Sequence, residues 1–192
     1  MRLTTKTTAM LWGAGGMAWV ANGTLGLDAA PGSDGFYVTE TVWLGVHALV
    51  LGGLVGLDRL GVTGDLRWGK IGLRLAIAGR ILFLTAESVA IAVASDDLPL
   101  FPAAAVTTGL GMLAAGAAII RARRLTGWQR YLPITVGAYP FIFMFPVLAV
   151  TGERPDLAIT AWGLTFIGVA IALWPANKHL TLPALSGSST RT

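Results

Sequence analysis

Apolar residues run through this chain in blocks of about twenty, each closed by a short stretch of charge, proline and glycine. The blocks lie at roughly residues 8–26, 40–58, 70–94, 101–121, 131–151 and 157–175. Within them the apolar positions are continuous and lack the three-to-four alternation of a half-buried helix. About 20 such residues, rising 1.5 Å each, span the ~30 Å hydrocarbon core of a bilayer. The expected fold is therefore an all-α membrane bundle of about six transmembrane helices over residues 1–180, with a short, polar, disordered tail over residues 181–192.

The breaks between blocks support that count. Pro31-Gly32 and Asp34-Gly35 are turn-forming pairs ahead of the second block, with Thr39 as an N-cap candidate. Asp96, Asp97 and Pro99 mark the third turn, and Pro102 suits the first turn of the fourth helix. Residues 153–156, Glu-Arg-Pro-Asp, separate the last two blocks. The fifth block, YPFIFMFPVLAV at its end, holds Pro140 and Pro146, so a bend is expected there. Residues 1–21 also have the basic start and apolar stretch of a signal peptide, but glycines interrupt the apolar run, and retention as a first helix is expected.

Charge sorts the connections into two classes. Twelve of the fourteen Lys and Arg residues fall at the chain ends and in the second-to-third and fourth-to-fifth connections. Asp28, Asp34, Asp96, Asp97, Glu153 and Asp156 occupy the alternate connections. By the positive-inside rule both termini lie in the cytoplasm of a multi-pass plasma-membrane protein. Trp12, Trp68, Trp128 and Trp174 fall near the expected inner boundary and Trp43 and Trp162 near the outer one, as an interfacial belt would.

Composition narrows the chemistry. The chain is 54% hydrophobic and 12% charged, half the ~25% charge of a soluble domain. It has no cysteine, which excludes disulfides, thiolate catalysis and cysteine-held clusters. With only His47 and His179 as histidines, no metal site and no cofactor are expected. The basic residues are explained by topology, so no nucleic-acid partner is expected; Arg121 to Arg130 suit contact with anionic lipid. Gly52/Gly56 and Gly111/Ala115 are small-xxx-small pairs suited to helix packing within the chain, with a homo-oligomer interface as the alternative.

Arg80 and Glu87 do not belong in lipid. Arg80 lies about 15 Å beyond Lys70, and Glu87 is about 10 Å further on nearly the same face. An ionised residue at a helix centre costs roughly 2.5–3.5 kcal/mol, so both should face the bundle interior. Counting from helix ends places His47 at the depth of Glu87 and Tyr139 near that of Arg80. Helical side chains lean toward the N-terminus, so Arg80 leans away from Glu87, and a water or a third residue such as Tyr139 is expected between them.

Glu87 and His47 are thus the proton donor and acceptor candidates. Arg80, Tyr139, Trp19, Trp162, Asn22 and Thr107 are the ligand-binding candidates of an outward-facing polar pocket. Three functions fit. One is a small permease or proton-coupled carrier for a small molecule. Another is an acid/base isomerase or cyclase acting on a lipid or terpenoid. The third is a structural or accessory subunit in which the buried ions only specify the fold. The absence of a complete catalytic set favours the carrier.

Overall fold

The computed structural model describes residues 4–25, 29–125, 127–152 and 156–174. The tail expected over residues 181–192, His179 and the break at residues 153–155 lie outside the described residues. All regular structure among the described residues is helical: α1 (Thr5–Thr24), α2 (Asp34–Leu60), α3 (Arg67–Val93), α4 (Leu100–Ala122), α5 (Leu132–Tyr139), α6 (Phe145–Thr151) and α7 (Asp156–Leu173). A 3₁₀ turn, Gly127–Tyr131, leads into α5, and a π-helical turn, Pro140–Met144, joins α5 to α6. Five stretches are long and apolar enough to cross a membrane: α2, α3, α4, the continuous Gly127–Thr151 run and α7. These are the features of a multi-pass integral membrane protein.

The first expected span is not among those five. α1 has the length, but threonines, Asn22 and four glycines dilute its apolar character. It is held by close packing between α2 and α7. A Cβ on Gly16 would stand 2.9 Å from the Gly163 carbonyl oxygen of α7, and one on Gly15 would stand 2.9 Å from a Val50 methyl of α2.

From α1 to α5 each helix packs on the next in sequence, α7 packs on both α5 and α1, and these six helices form a closed ring. The most extensive seam joins α3 to α4, where Gly72 and Ala76 face Gly111 and Ala115. A Cβ on Gly72 would lie 2.7 Å from the Ala115 backbone nitrogen. Lipid offers no hydrophobic drive for association, and small residues gain van der Waals contact by letting backbones approach. The Gly111/Ala115 pair therefore serves this seam, while Gly56 of the other pair meets Thr8 of α1.

Two local expectations are corrected. α2 begins at Asp34, six residues before the expected start, because Ser33 is the N-cap: its hydroxyl accepts from the Phe36 amide at 3.2 Å, and Phe36 is buried. The Thr39 hydroxyl instead donates back to the Gly35 carbonyl at 2.9 Å. Glu40 consequently stands in the second turn of α2 and not at its end. Trp12 and Trp162 do not join an interfacial belt; both are fully buried, Trp12 against Phe166 and the flat surface left by Gly53. In the fifth block, where a bend is expected at the prolines, the helical hydrogen bonding changes register while the helix continues. The π-helical turn starts at Pro140, and α6 beyond it is mostly exposed, with Val150 facing outward.

Candidate functional site

Two helices carry matching patterns. α2 presents Glu40, Trp43 and His47, and α3 presents Arg80, Phe83 and Glu87, each at spacing i, i+3, i+7 along one helical face. The helices are adjacent and antiparallel, so the upper end of one pattern meets the lower end of the other. His47 consequently lies between Arg80 and Glu87. Arg80 Nη1 is 3.1 Å from His47 Nδ1, and His47 Nε2 is 3.2 Å from Glu87 Oε1. All three side chains are buried, with Arg80 wholly inaccessible.

The donor inventory fixes the direction of this chain. A guanidinium can only donate, so Nδ1 of His47 accepts from Arg80 and its Nε2–H donates to Glu87. A proton on Nδ1 would set N–H against N–H. The imidazole is held in one tautomer and links the two charged groups without their touching. The third residue between Arg80 and Glu87 is therefore His47.

Around Arg80 stands an aromatic cage. Its guanidinium carbon lies 4.8 Å from the Trp162 ring centroid, 4.9 Å from Phe166, 5.0 Å from Phe83 and 5.2 Å from Trp19. Nε and Nη2 have no hydrogen-bond partner among the described residues, and the π faces stand where polar partners would otherwise be needed. Cation–π contacts of a desolvated cation contribute about 2 kcal/mol or more, enough to offset much of the cost of burial. The His47 ring stacks on Phe83 at 4.5 Å and meets the edge of Trp19 at 5.2 Å, which fixes the imidazole plane.

Backbone chemistry orients the cage. Pro140 has no N–H, which leaves the Val136 carbonyl four residues earlier without its helical donor. Trp162 Nε1 donates to that carbonyl at 2.9 Å. Trp19 Nε1 donates to the Ile159 carbonyl at 2.7 Å. Pro140, at the start of the π-helical turn, thus leaves a carbonyl of α5 that positions an indole ring of α7 over Arg80.

Above the cage opens a cavity of about 390 Å³, within the size range of small-molecule sites. Its floor includes His47, Glu87, Phe83, Trp19 and Trp162; Glu40, Asp96 and Asp97 are acidic residues of its wall and mouth. α6, directly after the π-helical turn, supplies Phe145 and Leu148 to the same wall.

Of the residues singled out from sequence, His47, Glu87, Trp19 and Trp162 therefore line one cavity. Arg80 lies behind it and reaches it only through His47. Tyr139, half-buried, stacks on Phe143 at 5.1 Å and is not in the cavity wall. Thr107 turns its hydroxyl to its own helix, donating to the Ala103 carbonyl at 2.7 Å, and Asn22 is buried in α1 outside the wall. Sequence reasoning gave Phe83, Phe166 and Phe101 no role, and it left residue 40 as no more than the start of the second block. The i, i+3, i+7 pattern carried the signal for Phe83 and Glu40; nothing local marks Phe166 or Phe101.

Among the described residues no group of three or more potential metal ligands occurs. No protein-family model matches the chain, and no curated protein or solved structure is significantly similar to it, so its function is read from this site alone.

Proposed function

We propose that this chain is a small carrier of the cell membrane, crossing it six times with both termini in the cytoplasm, that binds a small molecule in the cavity above His47. The observation that supports this reading is the position of Glu87: it lines the cavity while a fixed imidazole ties it to a sealed arginine. Intramembrane ionisable groups that face a cavity are the ordinary elements of proton and substrate pathways. Glu87 takes up a proton when the ligand leaves and releases it when the ligand binds, while Arg80 and His47 hold the carboxyl group in place. The cavity faces the end that bears the acidic connections, which is the outer end under this topology.

A second reading is favoured by the aromatic walls: a membrane-embedded enzyme in which Glu87 is the acid and the indole rings shield a cationic intermediate. Native mass spectrometry of the chain in nanodiscs separates the two and tests both. A discrete bound small molecule in the wild type, lost in Glu87→Gln and His47→Ala, is the expected result. Conversion of an added apolar precursor to a species of different mass would favour the enzyme. An empty wild type, with variants that differ only in unfolding temperature, would reduce the cluster to a fold-specifying network and overturn the binding reading.

A further inference from the structure

The charge of the cavity is one-sided. Glu40, Glu87, Asp96 and Asp97 line it, and no Lys or Arg does among the described residues. Glu87 is engaged through His47 with Arg80. Glu40 differs: it is 6% exposed, lines the cavity, and makes no hydrogen bond or ion pair with any described residue. Its carboxyl oxygens open on the cavity, so whatever occupies the cavity must answer their charge. The rings of Trp43, Phe83, Phe101 and Trp162 line the same cavity. Aromatic faces with an acid at one end are the recognition chemistry of ammonium compounds.

We propose that the ligand of this cavity is a small organic cation, an ammonium group answering Glu40 with a flat apolar body lying between the rings toward Glu87. The inference rests on the reading of the cavity as a binding site and adds its substrate class. Glu40 and His47 are seven residues apart on α2, about 10 Å, so a single-ring amine fits the interval. An anion would meet four carboxyl-bearing side chains and, among the described residues, no Lys or Arg. A neutral ligand would leave Glu40 unanswered. Since the acids at the mouth and Glu87 are offered to the same ligand, cation and proton compete for the cavity, which is the requirement for exchange of one against the other.

The test uses the full chain in dodecyl maltoside, which carries no charge, and three probes: benzyltrimethylammonium, its neutral isostere neopentylbenzene, and benzylsulfonate. Binding is read by tryptophan fluorescence, since Trp19, Trp43 and Trp162 line the cavity, and by calorimetry. Saturable binding of the cation and none of the anion is expected. Glu40→Gln, nearly isosteric, should weaken the cation by roughly thirtyfold or more with the thermal unfolding midpoint unchanged. Asp97→Asn, at an exposed position of the mouth, should weaken it a few-fold at low salt only.

Binding of benzylsulfonate as strong as that of the cation, an unchanged affinity in Glu40→Gln, or no saturable binding of the cation would overturn the inference. Neopentylbenzene bound as tightly as the cation, and lost in Glu87→Gln, would leave the binding reading standing and remove the charge selectivity. If no probe binds and native mass spectrometry shows no bound species, both fall together.

Discussion

Arg80 sits where a cation is most expensive, and it is kept there by four rings and one imidazole. Its charge is answered at a distance by Glu87 through His47, so the three side chains act as a unit. Removing one charge strands the other. Arg80→Met and Glu87→Gln should each destabilise the bundle by about 3 kcal/mol. The double variant should cost less than the two together, with a coupling of roughly 1–3 kcal/mol. Denaturant unfolding in detergent measures all four corners of the cycle; additive losses would show that Arg80 and Glu87 are independent. The anomaly of Arg80 and Glu87 was legible in the sequence because charge in an apolar run has few innocent explanations. The identity of their intermediary was not, because Tyr139 and His47 were both placed by depth alone, and depth does not specify the angle about a helix axis.

Among the helices, α3 is the one with a demanding neighbour on each side. One face carries Arg80, Phe83 and Glu87, and another carries Gly72, Ala76 and Gly79 against α4. Closing the second seam is what presses the first toward α2. Gly72→Val should therefore lower the unfolding temperature sharply or prevent recovery of folded protein, since its Cβ would lie 2.8 Å from the Gly111 carbonyl oxygen. Gly45→Ala is the control: nothing stands within 4 Å of a Cβ there, so thermal unfolding should stay level or rise slightly. Equal effects at the two sites would mean that helix propensity, and not backbone approach, governs these positions. The small-xxx-small spacing was readable from sequence, whereas the partner of each pair was not. Likewise Pro140 announced a bend, but only packing shows that its freed Val136 carbonyl is taken by Trp162.

The whole molecule is a ring of helices with charge separated between its two ends. Orientation in the bilayer can be tested directly because the chain has no cysteine to remove. With a membrane-impermeant maleimide, Asp97→Cys should label in intact cells, and Asp65→Cys and Lys6→Cys only after permeabilisation. All three wild-type side chains are exposed. Lys6→Cys labelling with Asp97→Cys would mean that α1 does not cross, and complete reversal of the pattern would invert the topology. α1 is where pattern alone was least informative. Its glycines and threonines lower its hydropathy, yet they are what let it fit between α2 and α7 and bring Trp19 over Arg80.

Long uncharged runs, their proline and glycine breaks and the sorting of basic residues determined by themselves that the chain is a multi-pass helical membrane protein. Those features act through local hydration energy, which each segment carries wherever it packs. Tertiary structure decided that Trp12 and Trp162 are core and not belt, that Glu40 belongs to a cavity, and that rings from α1, α3 and α7 enclose one guanidinium. Such facts depend on the rotation of each helix about its axis. In lipid that rotation is set by which small residues meet across a seam and which polar groups find partners, and neither is a property of one segment alone.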